Sequence, residues 1–325
     1  MNAQPSSVRP LVIAHRGASG ERPEHTMGAY RLAIAQGADY IEPDLVMTRD
    51  GVLVCRHENE ISETTDVATR TEFASRRREQ TVDWTTTTGW WTEDFTLAEL
   101  KTLRCKERMP QLRPANAAYD GRDEIPTFAE VLALAREAGV GVYPELKHPS
   151  FLQARGLDPV TALVHDVRTG GADIIDRIFV QCFEIGALRT LASMSSLRWR
   201  CVQLVEAYRG PWDRQDLFSA DLRSDEGLAA IAEYAVGLGA AKGLVLSGED
   251  EAPAQSDLVA RAHRAGLLVH AWTFRAENHF LPAELRRGEN PAAHGDLAAE
   301  LRAFYAAGID GVFCDFPAIA VAARA

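Results

Sequence analysis

The sequence predicts an α/β chain folded as a (β/α)₈ TIM barrel, with an inserted subdomain after the second strand. Three observations carry this. Short apolar, β-branched runs recur eight times, helix-like segments separate most of them, and about 300 residues hold the whole alternation. Continuous apolar strands alternating with helices mean a parallel sheet covered on both faces, and eight of them favour closure into a barrel. A doubly wound open sheet is the alternative, but no G-x-G-x-x-G follows a strand.

The predicted strands, in order, are LVIA (11–14), DYIEPDLV (39–46), VGVYPEL (140–146), RIFVQCF (177–183), RCVQLV (200–205), GLVLS (243–247), LLVHAWTF (267–274) and GVFCDF (311–316). The predicted helices are GAYRLAIAQG, TFAEVLALAREAG, DPVTALVHDV, EIGALRTLAS, LAAIAEYAVG, SDLVARAHRAG and LAAELRAFYAAG, each amphipathic. Residues 59–125 break the alternation. They hold one clear helix candidate, FTLAELKTLR, in a polar stretch too long for an ordinary barrel connection, so they read as an insertion over one face of a single domain spanning 1–325. Shorter irregular loops fall at 206–224 and 275–296. Pro43 and Pro144 interrupt two strands, and the expectation is that each strand frays from its ladder there.

The net charge of −11 argues against nucleic acid as a partner, since a phosphate backbone requires a basic face. Five widely spaced cysteines form no disulfide framework and no zinc motif, and Cys55, Cys182 and Cys314 sit in apolar runs as buried thiols. No run reaches membrane-spanning length, and MNAQPSSVRP lacks the apolar core of a signal peptide. That reads as cytoplasmic, and as periplasmic or secreted had an export signal been removed. Oligomeric state is not legible.

Charged residues collect where barrel enzymes keep their chemistry, at the C-terminal ends of strands. His15 and Arg16 end the first strand. Glu42 and Asp44, two apart and so on one face, end the second. After the turn TRDG, VLVC delivers Arg56, His57 and Glu58. Glu145 and Lys147 end YPELK, Trp272 lies near the end of LLVHAWTF, and Asp315 ends GVFCDF. If Glu42, Asp44 and Glu145 converge, they cannot all be bare anions. Two unit charges about 4 Å apart repel by roughly 4 kcal/mol at an effective dielectric near 20. Protons or a cation must compensate, and an all-oxygen set selects a hard divalent ion, calcium or magnesium.

At these residues the chain resembles the glycerophosphodiester phosphodiesterase family. The matching pieces are AHRGASGERPEHT, DYIEPDLVMTRDGVLVCRHE, DFTLAELKTL, YPELK, VQCF, VHAWTF and GVFCDFP, in the family's order across nearly the whole chain. The long insertion resembles the larger bacterial branch, which is usually calcium-dependent. The resemblance implies hydrolysis of glycerophosphodiesters such as glycerophosphocholine and glycerophosphoethanolamine to glycerol 3-phosphate and an alcohol. It implies His15 and His57 as catalytic histidines and Glu42, Asp44 and Glu145 as ligands of one divalent cation, Ca²⁺ ahead of Mg²⁺. It also implies Arg16, Glu24, Lys147 and Trp272 as the lining of the phosphate and glycerol pocket. One departure is Glu58 after His57, where aspartate is commoner.

Two histidines can divide acid and base roles near neutral pH, and Arg16 and Lys147 can hold the phosphate. Competing functions are a phospholipase D- or sphingomyelinase D-like enzyme acting on intact lipids, and a non-catalytic binding or adhesion protein on the same barrel. Several residues carry two readings. Glu24 has a salt-bridge alternative. His25 shapes its loop. His148 caps a loop. His270 is a packed barrel histidine or a ligand contact. Asp315 caps the last helix or joins the site. Arg76–Arg77–Arg78 is a solvated face or a phosphate dock, and Trp90 and Trp91 are buried against the barrel or form a lid.

Overall fold

A computed structural model describes residues 9–247 and 254–324. Residues 1–8, on which the reading of location rested, lie outside them. In chain order, β1 (Leu11–His15) precedes β2 (Tyr40–Glu42) and β3 (Asp44–Met47), the two halves of one barrel strand on either side of Pro43. β4 (Leu53–Cys55) turns back antiparallel to β3, and β5 (Arg78–Val82) and β6 (Thr85–Gly89) form a separate hairpin. β7 (Gly141–Val142) and β8 (Glu145–Leu146) are again halves of one strand, followed by β9 (Phe179–Cys182), β10 (Arg200–Val205) and β11 (Gly237–Ala241). β12 (Leu246–Ser247) and β13 (Ala254–Gln255) make a small antiparallel pair, and β14 (Leu268–Phe274) and β15 (Gly311–Cys314) complete the set.

Parallel pairing runs from β15 to β1, to β2/β3, to β7/β8, and on through β9, β10, β11 and β14 back to β15. The ring closes as a TIM barrel. The helices lie between consecutive strands, and their starts are set by side-chain caps. Thr26 caps Met27–Ala35, Thr127 and Glu130 form a reciprocal capping box on Phe128–Ala138, and Asp158 with Pro159 opens Pro159–Gly170.

Two expectations are corrected. The sixth barrel strand is GLGAA (Gly237–Ala241), whereas GLVLS forms a 3₁₀ turn and the edge strand β12. Its glycines carry no β-branched signal, yet close packing needs them. A Cβ on Gly239 would stand 2.5 Å from Leu204 Cδ2, and Trp272 Nε1 donates to the Gly239 carbonyl at 2.9 Å. The strands also do not fray at the prolines. Pro43 O accepts from Glu145 N, and Pro144 O accepts from Gln181 N, both at 2.9 Å. Each proline removes one rung, and the ladder resumes at the next residue.

Strand alternation then places the site. Ile13, Tyr40, Tyr143, Phe179 and Phe313 fill the barrel interior, with Tyr143 stacked on Phe179 at 4.8 Å. Two residues further along each strand, the same face carries His15, Glu42, Glu145, Gln181 and Asp315. The apolar layer is the floor of the mouth. Residues 56–127 connect β4 to the helix Phe128–Ala138, and their Ile61, Val67, Phe73, Trp90, Phe95 and Leu100 pack on Val46 and Val54 as a second buried cluster.

Candidate active site

At the C-terminal mouth of the barrel lies a cavity of about 730 Å³ lined by His15, Arg16, Glu42, His57, Glu145, Lys147 and Trp272, among others. The chain leaves β1 through Arg16, which adopts φ 59°, and turns at Gly17, φ 85°. Arg16 N then donates to Glu42 Oε2 at 2.7 Å, and its guanidinium reaches Glu24 at 3.1 Å and Asp44 at 3.3 Å.

Glu42, Asp44 and Glu145 do converge. One carboxylate oxygen from each lies within 4.8 Å of the others, and all three residues are buried. Asp44 and Glu145 face each other across the β3–β8 ladder. Glu42 Oε1 accepts from Gln181 Nε2 at 3.1 Å, Glu145 from Lys147 Nζ at 2.8 Å, and Asp44 Oδ2 pairs with His25 Nε2 at 2.9 Å. Asp44 Oδ1 is buried with no hydrogen-bond partner among the described residues.

The charges divide as mutual repulsion requires. Burial, then Asp44 and Glu145, push Glu42 well above the usual carboxyl range, and burial with Asp44 lifts Glu145 to about 8 against the pull of Lys147. Burial would raise Asp44 too, but Lys147, His57, His25 and Arg16 hold it well below. Three oxygens that cannot all ionise by themselves, one of them without a donor, fit a hard divalent cation. Aligned side by side, they are a poor structural salt-bridge network and a good cation cage.

Each catalytic candidate is held by a carboxylate. His15 Nδ1 is 2.7 Å from Asp315 Oδ1, and because an ionised carboxylate only accepts, Nδ1 carries the hydrogen and Nε2 is left bare. Burial would raise Asp315, but Arg113 and Arg275 hold it well below its usual range. His57 Nδ1 bonds Glu58, and Lys147 Nζ donates to His57 Nε2 at 3.3 Å. Burial and Arg16 push His15 down to about 4, and burial with Arg16 and Lys147 pushes His57 down as well.

Two arginines from the polar 59–125 stretch anchor these carboxylates. Arg108 donates to Glu24 at 2.9 and 2.7 Å and to Glu58 at 2.6 Å. Arg113 donates to Asp315 at 2.6 Å and to Glu277 at 2.5 Å, with all three side chains buried. Sequence reasoning missed both, because they lie in a segment without periodicity. Gln181 and Arg275 were missed as well. Gln181 had a readable signal, the same two-residue step from an apolar strand position.

The other candidates resolve by their contacts. Glu24 accepts from the Arg16 guanidinium and is clamped on its other side by Arg108, which realises its salt-bridge reading. His25 is buried between Tyr30 and Asp44, shaping the loop. Asp315 joins the site and makes no side-chain cap on the last helix. His148 bonds Asp83 at 2.7 Å in the β5–β6 turn and makes no side-chain cap. His270 is packed inside the barrel with Tyr143 OH 2.8 Å from its Nδ1. Arg76 and Arg78 pair with Glu99 and Asp94 within their own segment, and Trp90 and Trp91 are buried. All five cysteines are free and buried.

The comparisons with known proteins agree with this geometry. The model of the glycerophosphoryl diester phosphodiesterase family matches residues 15–319. A glycerophosphodiester phosphodiesterase of Arabidopsis thaliana is 35% identical, covering 95% of this chain and 84% of its own. One of Haemophilus influenzae is 28% identical over 94% of this chain and 87% of its own. Among solved structures, an Oleispira antarctica phosphodiesterase in complex with the product sn-glycerol-3-phosphate aligns with a TM-score of 0.64 at 22% identity, covering 97% and 96% of the two chains. A candidate glycerophosphoryl diester phosphodiesterase of Silicibacter pomeroyi aligns with a TM-score of 0.71 at 23% identity, covering 99% and 95%. The fold and mouth thus define a barrel hydrolase of phosphodiester chemistry. The chain belongs to the glycerophosphoryl diester phosphodiesterase family and is an enzyme.

Proposed function

We propose that this enzyme hydrolyses glycerophosphodiesters, of which glycerophosphocholine and glycerophosphoethanolamine are examples, to glycerol 3-phosphate and an alcohol. The observation that carries the reading is the gathering of two carboxylate-held histidines, Glu42, Glu145, Arg16 and Lys147 around one cavity, with Asp44 converging on the same two acids. Glu42, Asp44 and Glu145 would hold one divalent cation, calcium ahead of magnesium. When bound, it supplies Lewis-acid neutralisation of charge at the phosphoryl oxygens.

Arg16 and Lys147 bind and orient the phosphodiester. Burial first, and then the charges of Arg16 and Lys147, keep His57 neutral. A docked phosphate offsets their charge, so one imidazole can then hold a proton while the other remains a base. The basic imidazole takes the proton of the attacking hydroxyl at its Nε2. The protonated one delivers its own to the departing alkoxide. With the substrate's 2-hydroxyl as nucleophile, the product of this step is a cyclic phosphate. Water then opens it with the two proton roles exchanged.

Activity on glycerophosphocholine, lost on chelation and restored separately by calcium and magnesium, tests the cation and its identity. His15→Ala and His57→Ala should each lower kcat by about 10²–10⁴-fold, the range of general acid–base catalysis, with the circular dichroism spectrum unchanged. A substrate lacking the 2-hydroxyl should not turn over, and unchanged turnover would show direct attack by water. Preference for the diacyl parent over glycerophosphocholine would overturn the substrate class.

A further inference from the structure

The cavity is also lined by residues that the proton transfers above do not use. There the β5–β6 turn sets Trp84 edge-on against Trp212 of the 206–224 loop, with ring centroids 4.8 Å apart and planes at 85°. Both line the cavity, and Trp84 is 51% exposed. Arg209 lies 5.6 Å from the Trp84 ring centroid, so the ring already receives one cation.

Two acidic residues, Asp83 and Glu184, line the same cavity. Asp83 Oδ2 pairs with His148, while its Oδ1 is buried without a hydrogen-bond partner among the described residues. Glu184 is 4% exposed. Its Oε2 accepts from Ser150 N at 3.0 Å, and its Oε1 is likewise buried without a partner. Asp213, next to Trp212, accepts from Ile185 N and Gly186 N, which ties the tryptophan loop to the helix that begins after Glu184. Burial lifts the Glu184 carboxyl to about 7, with Asp213 and Asp83 adding to the rise and Ser150 opposing it.

Two acidic residues and two tryptophan rings lining one cavity attract one kind of ligand, an organic cation. It relieves the carboxylates and takes up the ring faces, whereas a second anion would be repelled by the wall. Phe183 links these residues to Trp272: it touches Trp272 edge-on at 5.9 Å and directly precedes Glu184. We infer that Trp84, Trp212, Asp83 and Glu184 form a head-group subsite for the alkylammonium of a cationic alcohol, the choline and ethanolamine class. This rests on the phosphodiester reading above.

The test compares kcat/KM for glycerophosphocholine and for its neutral isostere, the 3,3-dimethylbutanol ester in which carbon replaces nitrogen. Wild-type enzyme should prefer the choline ester by about tenfold, the scale of a partly desolvated cation–π contact with an ion pair. Glu184→Gln, which keeps the shape, and Trp84→Ala, at an exposed position, should each shrink that preference to about threefold or less. Equal kcat/KM for the two esters in the wild type, with turnover intact, overturns the subsite and leaves the enzyme's function standing. A preference undiminished in both variants overturns it too. Hydrolysis of neither ester defeats the function beneath it.

Discussion

At Asp315, one carboxylate accepts from His15, Arg113 and Arg275 at 2.7, 2.6 and 3.1 Å. It fixes the His15 tautomer, so its effect should reach the chemistry without touching the substrate. Asp315→Asn should lower kcat by about 10²-fold or more and leave KM nearly unchanged, measured under saturating cation. Arg113 has a different signature. Truncating it strands two buried carboxylates, those of Asp315 and Glu277. Arg113→Ala should therefore cost about 3–5 kcal/mol of stability in urea unfolding, besides any loss of rate. These partners lie some 200 and 164 positions from Arg113 in sequence, a separation that no local pattern could announce.

Among the elements, the loop after β1 is the most constrained. Gly17 sits at φ 85°, and a Cβ there would meet the Ala29 backbone carbonyl carbon at 2.7 Å. Gly17→Ala should cost at least ~2 kcal/mol, by left-handed strain plus a clash that backbone cannot relieve, read from the urea midpoint. The helix caps are local and weaker, and Thr127→Ala should cost about 1 kcal/mol. Seven of the eight barrel strands were legible because buried parallel strands read as apolar runs. The sixth was not, since GLGAA is shaped by its neighbours Leu204 and Trp272 and has no apolar signature of its own. Pro43 and Pro144 misled for a related reason. A lost donor costs one rung, and the carbonyl of the same residue keeps the strand in register.

Across the whole molecule, buried neutral histidines tie stability to pH. Burial pushes His270 down to about 4, and an unfolded histidine titrates near 6.5. Between those values the unfolded chain binds the extra proton, so stability falls as pH drops through 6.5 and the loss is complete below about 4. Two and a half pH units at one site amount to roughly 3 kcal/mol. His270→Gln should flatten the acid limb of an unfolding-against-pH series, and an unaltered limb would contradict the assignment. The acidic trio gives a second global readout. Calcium or magnesium should raise the Tm and chelation should lower it, because a cation that binds the folded mouth does not find it unfolded. By itself, the sequence determined the strand–helix alternation, the strand ends and the residue types there: His15, Glu42, Asp44, His57, Glu145 and Lys147 could all be read from spacing two and from position. Only the tertiary structure decided what faces what. It set Arg108 and Arg113 behind the histidines, clamped Glu24 between Arg16 and Arg108 and brought Trp84 to Trp212. Periodicity records which way a side chain points from its own strand, whereas these contacts depend on how distant segments close around the barrel.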